Sequence, residues 1–278
     1  MDLLVDGIDF GEGPRWHDGE LWYADFYQRT IYAVTESGTR RALWANLDDR
    51  PSGLGWMPDG SLLAVAMTSR RLLREVDGAL VEHADLSPLA TGHCNDMVVA
   101  ADGTAYVGNF GFDMEGGASM RTADLVRVTP DGVASVAASD LRFPNGSVIT
   151  PDGSTLIVGE SAGMGYEAFT IEGDGSLSNR RRWADTPGMF PDGCTFDAEG
   201  AIWFADAFGS RVVRVKEGGE VTNELPTPMP VYACALGGAD GTTLYALCAP
   251  ASAPAEVEGK AAGAIYAVAV TVPHAGRP

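Results

Sequence analysis

Cysteine, histidine and basic side chains are all scarce in this chain, and each scarcity removes a class of function. The four cysteines (Cys94, Cys194, Cys234, Cys248) show no C-x-x-C or comparable spacing, which argues against a zinc ribbon and a disulfide framework. They read as small buried thiols. Only four histidines are present, His17, His83, His93 and His274, and no Gly-x-Ser-x-Gly motif accompanies them. A Ser-His-Asp hydrolase therefore lacks its nucleophile elbow. Lys and Arg number 19 against 38 Asp and Glu, a formal charge of −19. Nucleic acid and anionic membrane surfaces are repelled by such a field, so a small molecule is the expected partner. No run is long and apolar enough to span a bilayer, and Met1-Asp2-Leu3 does not open a signal peptide; a cytoplasmic protein is expected. No window sustains the 3.6-residue hydrophobic period of an amphipathic helix.

What the chain does have is punctuation. With 35 Gly and 16 Pro, it supports frequent turns between short strands. Six of those turns pair an acidic residue with glycine: Asp18-Gly19, Asp59-Gly60, Asp102-Gly103, Asp152-Gly153, Glu199-Gly200 and Asp240-Gly241, spaced 41, 43, 50, 47 and 41 residues apart. Each ends one apolar run and begins the next. The first unit runs Glu12-Gly-Pro-Arg-Trp16, turn, Leu21-Trp22-Tyr23-Ala24-Asp25, loop, Thr30-Ile31-Tyr32-Ala33-Val34. The fifth repeats that grammar from Asp192 to Val215. A period of 40 to 50 residues with several β-rich runs per unit predicts a β-propeller. Six units imply an all-β, six-bladed propeller occupying residues 1–278 as one domain. Leu3-Leu4-Val5 and Ala264-Ile265-Tyr266-Ala267-Val268 are expected to share the last blade and close the ring. The tail from Pro273 to Pro278 is expected to fray.

About eight residues before most of these turns stands a polar or acidic side chain: Glu12, Ser52, Asn95, Asn145 and Asp192, with Tyr232-Ala233 breaking the rule in unit six. If these positions open the innermost strand of each blade, they converge on one axis. Singly, Asn145-Gly146 or Asp192-Gly193 is an ordinary turn, and Asn145-Gly-Ser is also a glycosylation sequon, set aside for an interior strand. The shared phase changes the reading, because converging carboxylates are costly without a cation. Glu12, Asn145 and Asp192 offer oxygen only, with two negative charges, which suits one hard divalent cation in the central channel. Ca²⁺ fits best, with Mg²⁺, Mn²⁺ or Zn²⁺ as alternatives, and Asn95 could add a fourth oxygen.

At this point Glu12-Gly-Pro-Arg-Trp, Cys94-Asn95-Asp96, Phe143-Pro-Asn145-Gly and Pro191-Asp192-Gly-Cys resemble the blade motifs of the senescence marker protein/gluconolactonase family, which also includes regucalcin and luciferin-regenerating enzyme. The resemblance covers nearly the whole chain. It implies a divalent metal in the central channel and, in many members, hydrolysis of sugar lactones. It further implies that Glu12, Asn145 and Asp192 are metal ligands, that Asn95 contacts substrate, and that Asp192 is also the general base. Many gluconolactonases carry Arg two residues before the Asn of the third motif; here that position is His93, and Ser52 holds the equivalent of the Asn position in unit two.

The expected activity is metal-dependent opening of a lactone other than gluconolactone, with Asp192 and Asn95 catalytic and Asn95, His93, Ser52 and Phe112 meeting the substrate. Two other readings compete. The same site could serve phosphotriester hydrolysis or an isomerase, dehydratase or cyclase step, or the propeller could bind calcium or a ligand without turnover. Residues 110–123, 161–167 and 249–263 are longer loops. The first carries Phe112, Met114 and Met120 between glycines and is expected to fold over the metal face and favour a substrate with a hydrophobic portion. A monomer or weak homo-oligomer is expected.

Overall fold

The computed structural model describes residues 1–276, and the turns named above dictate its form. All six turn glycines have positive φ, from 74° at Gly153 to 94° at Gly103, a conformation open to glycine at little steric cost. In four of the turns the preceding aspartate accepts a hydrogen bond from the backbone two residues on: Ser61, Thr104, Ser154 and Thr242 donate at 3.0, 2.8, 3.1 and 3.0 Å. The aspartate closes the turn with its own side chain. The repeated dipeptide is thus a hairpin signal, and each hairpin joins the first two strands of one blade.

Six four-stranded antiparallel sheets result. Their innermost strands are Gly11–His17, Pro51–Trp56, Cys94–Val99, Pro144–Ile149, Pro191–Phe196 and Val231–Gly237. Blades one to five each run outward in chain order; the sixth takes its outermost strand, Asp2–Ile8, from the start of the chain. That strand pairs with Gly263–Ala269, with Leu3 opposite Tyr266 and Val5 opposite Ile265. Each inner strand touches the next around the ring, the sixth touching the first. Apolar clusters fill the spaces between blades; one packs Leu63, Val65, Leu72, Met97, Val107 and Val126 between blades two and three. No helix among the described residues is long and apolar enough to cross a membrane.

Two expectations are corrected here. Residues 273–276 do not fray: Ala198 N donates to Pro273 O at 2.9 Å, His274 N to Gly241 O at 3.0 Å and Ala275 N to Phe196 O at 2.9 Å. The tail is thereby pinned across the hairpins of blades five and six. Fraying at 277–278 lies outside the described residues. The segment 161–167 is no long loop; a tight turn ends at Met164 and the next strand begins at Gly165.

Every inner strand also carries a register shift near its start. The shifts fall between Glu12 and Arg15, Pro51 and Leu54, Cys94 and Met97, Pro144 and Ser147, Pro191 and Cys194, and Val231 and Ala233. Such a bulge bends the strand and re-aims a side chain. It falls at the polar position of each unit, at the point where neighbouring blades come nearest. A Cβ on Gly146 would press on Asp192 O and lie 2.7 Å from Cys194 N, so only glycine lets blades four and five approach there. Gly146→Ala should lower unfolding stability by about 2–3 kcal/mol, read as a fall in the urea midpoint. A midpoint unchanged from wild type would show that the blades separate at no cost.

Candidate active site in the axial channel

The polar residues of the repeat stand at the starts of the inner strands around the axis. Glu12 is 7% exposed, Asn95 4%, Asn145 6% and Ser52 2%, while Asp192 keeps a partial solvent face. All five sit at the bulged ends of inner strands, as their phase in the repeat requires. Tyr232 holds the sixth position and packs its ring 4.6 Å from that of Phe10.

Several supporting residues were not among the sequence candidates. Arg15 reaches from blade one to blade three, donating to Asp96 Oδ1 at 2.8 Å and Met97 O at 2.6 Å. Asp96 is thus a further carboxylate, itself buried, close enough to Glu12 and Asp192 to act on both. Ser161 donates to Pro191 O at 2.6 Å and accepts from Asn145 Nδ2 at 3.2 Å. It spends the amide nitrogen, leaving the Asn145 oxygen for a ligand. A further acid or amide ends the second strand of four blades and grips the loop beside it. Asp25 accepts from Phe10 N at 3.2 Å, Asn109 from Gly111 N at 3.0 Å, Glu160 from Arg142 N at 2.6 Å and Asp206 from Phe190 N at 3.0 Å. The repeat carries this signal too, since Asp25 and Asp206 end corresponding apolar runs.

The electrostatics are those of a site short of positive charge. Burial is the main cause that pushes the Glu12 carboxyl well above its usual range; the charges of Asp192 and Asp96 add to it, against a smaller opposing pull from Gly13 N–H and Arg15. Burial likewise pushes Asp192 up to about 8, with the Asn145 amide pulling it back and Asp96 raising it further. Three carboxylates face one guanidinium, an excess that a divalent cation would offset. Asn95 Oδ1 and Asp96 Oδ2 are buried without a hydrogen-bond partner among the described residues, which is costly unless a ligand supplies one. The donors are carboxylates and carboxamides; no cluster of three His, Cys, Asp or Glu with metal-holding geometry occurs among the described residues. The residues present fit a hard, oxygen-seeking cation.

Cysteine chemistry does not compete. All four thiols are free and buried, and burial pushes Cys94 up to about 12 and Cys194 higher still, far from the thiolate state a nucleophile needs. His93 is half-buried at the mouth, its ring 6.1 Å from Phe110; His17 lies away from the channel, stacked 3.8 Å from Trp56.

The mouth is closed in by aromatic side chains. Phe10, Phe26, Phe110 and Tyr232 form one apolar cluster with Met67, Ala207, Ala249 and Val257, and Phe143 and Phe190 pack against it. The segment 249–263 therefore joins the rim, through a short helix over Pro254–Val257 whose Val257 is buried. Of the loop 110–123, Phe112 turns toward the mouth and meets Phe143 edge-on at 6.2 Å. Met114 and Met120 point to solvent, so only part of the expected apolar wall forms. Glu115 on this loop pairs with Arg50, whose guanidinium lies 5.0 Å over the Tyr27 ring. Tyr27 in turn donates to Ser252 O at 2.9 Å. This chain of contacts ties the loops of blades three and six across blades one and two.

A six-bladed propeller with an all-oxygen acidic site at its axis is the class that fold and site together define. The chain belongs to the SMP-30/gluconolactonase/LRE-like family, which it matches over residues 10–249, and it is a lactonase-type enzyme by its relatives. It is 31% identical to a pentonolactonase of Haloferax volcanii over 96% of this chain and 92% of that one. It is 29% identical to a 6-deoxy-6-sulfogluconolactonase of Pseudomonas putida, over 96% and 94%. Among solved structures, a luciferin-regenerating enzyme superposes with a TM-score of 0.81 at 19% identity, over 97% of this chain and 94% of that one.

The raised carboxyl groups have a consequence for stability. In cation-free protein the folded state holds the Asp192 proton up to about pH 8, whereas the unfolded chain releases it near pH 4. The unfolded state then binds fewer protons, so this group's contribution makes stability fall as pH rises between those values. Chelated wild type should therefore lose more melting temperature between pH 5 and pH 8 than Asp192→Asn does. Ca²⁺ should raise the melting temperature more at pH 8 than at pH 5. Parallel curves for the two proteins would refute it.

Proposed function

We propose that this protein hydrolyses a lactone at the axial site, with one divalent cation held by Glu12, Asn145 and Asp192. Ca²⁺ is the cation the oxygen donors suit best. The observation that carries this reading is the meeting of the Glu12, Asp192 and Asp96 carboxylates with Arg15 as the one guanidinium among them. A bound cation would supply Lewis acidity to the ester carbonyl and charge stabilisation as the tetrahedral centre forms. Asp192 takes a proton from the attacking water as its hydroxyl adds to the carbonyl carbon. The ring C–O bond then breaks, and that proton passes to the departing ring oxygen, giving a hydroxy acid. Asn95 fixes the substrate in the channel, and Ser161 holds Asn145 in place. Arg15, bound to Asp96, keeps the floor of the site in register. The relatives' activities on sugar lactones support the reaction class; regucalcin relatives, such as that of Danio rerio at 25% identity, and a structure described as a calcium-binding protein support the cation.

Asp192→Ala, which removes both a ligand and the base, should lower kcat about a thousandfold. Glu12→Gln keeps the shape and removes one charge, and should weaken cation binding by about a hundredfold, read directly by calorimetry. Full lactonase activity in exhaustively chelated protein would overturn the assignment. Cation binding with no turnover on any lactone would instead favour a binding module.

His93 stands where many gluconolactonases carry Arg, and its shorter ring lies 6.1 Å from that of Phe110. Gluconolactone is accordingly expected to be a poor substrate. His93→Arg should raise kcat/KM on polyhydroxylated sugar lactones by about tenfold. No gain, or a wild-type preference for gluconolactone, would show the position to be neutral.

A further inference from the structure

The residues two positions before the axial ones form a second ring nearer the mouth: Phe10, Arg50, His93, Phe143, Phe190 and Pro230. They stand just before the inner strands begin, and Phe10, Phe143 and Phe190 belong to the apolar cluster built around Phe110 and Tyr232. Its members are unevenly distributed. Arg50 and His93 occupy blades two and three, and Arg50 is already paired with Glu115. Blades four and five, which supply Asn145 and Asp192, present only phenyl rings.

Those rings are held in place. Phe143 has φ of 60°, a conformation that a bulky residue adopts only when its surroundings impose it. Its ring stacks on Phe110 at 4.6 Å, and the preceding residue is fixed by Arg142 N donating to Glu160 at 2.6 Å. Phe190 is fixed in the same way by Asp206. Phe208, on the loop after Asp206, meets Phe190 edge-on at 4.9 Å while remaining 79% exposed. An exposed phenylalanine that continues a pinned aromatic wall is a contact surface without its partner. Hydroxyl groups laid against this wall would lose their water without finding donors or acceptors.

We propose, building on the lactonase reading above, that the natural substrate is a lactone bearing an apolar substituent, aryl or alkyl, seated against Phe143, Phe190 and Phe208. The ester enters the axial ring and the substituent lies along the wall of blades four and five. Arg50 and His93 stand on blades two and three at the end of that wall, His93 6.1 Å from the Phe110 ring that stacks on Phe143, and the polar edge of the lactone ring is accommodated there.

The test is steady-state kinetics of the Ca²⁺-loaded full chain on γ-phenyl-γ-butyrolactone, γ-butyrolactone and a pentono-γ-lactone. The phenyl substituent should raise kcat/KM about tenfold over the unsubstituted ring. Phe143→Gly suits its left-handed backbone, and Phe208→Ser changes an exposed position. Each should cut kcat/KM on the phenyl lactone about tenfold more than on γ-butyrolactone. The increment should also appear as tighter calorimetric binding of the matching phenyl lactam, which needs no turnover. A preference for the pentonolactone, or an increment that survives both substitutions, overturns the substituent proposal and leaves the lactonase reading intact. Failure to open any of the three lactones, with Ca²⁺ bound, removes both.

Discussion

The contact between neighbouring inner strands is the constraint on which the rest of this molecule depends. A propeller closes only if the first strands of adjacent blades approach to backbone distance. The register shift at the start of each inner strand brings this about, aided by residues such as Gly146, where no side chain fits. The same bulge points the preceding side chain at the axis. Ring closure and site formation therefore share one geometry: the packing of the blades also brings Glu12, Asp192, Asp96 and Asn145 close together.

That crowding is electrostatically unfavourable for the protein by itself. Burial and mutual repulsion disfavour ionised Glu12 and Asp192, and Arg15 is committed to Asp96 and two backbone carbonyls. An apolar channel would fold more easily. Retaining buried carboxylates there makes sense if the cost is recovered on binding a cation, which is the usual relation between a stable scaffold and a strained site. The scaffold offsets the cost elsewhere, through its inter-blade apolar clusters, its self-closing turns and the pairing of Asp2–Ile8 with the last blade.

The legibility of this architecture in the sequence followed from repetition. One Asp-Gly pair or one buried Asn is uninformative, but a feature recurring at the same phase in successive units reports a common structural role. The six turns, the ring-closing strand and the place of Glu12, Ser52, Asn95, Asn145 and Asp192 at the starts of the inner strands were all readable on that basis. Features without a repeat were not. Arg15 and Asp96 lie 81 residues apart and meet only because closure of the ring brings blades one and three, on either side of blade two, together near the axis. Ser161 looks like an ordinary loop serine until blade four sets it against Asn145. The tail from 273 to 276 reads as a frayed end because its partners, Gly241 and Phe196, belong to hairpins of other blades.

The sequence by itself thus determined the number of blades, their boundaries and the residues that open the inner strands, because strand period, turn chemistry and repeat phase are local properties of the chain. Only the tertiary structure decided which of those residues are unpaired, which are held by neighbours, and how the mouth is walled. Those outcomes depend on through-space distances between blades: Arg15 neutralises Asp96 rather than Glu12, Glu115 reaches Arg50, and Phe143, Phe190 and Phe208 gather on the side of the ring that carries Asn145 and Asp192. No local pattern encodes such distances; they are set by the closure of the ring.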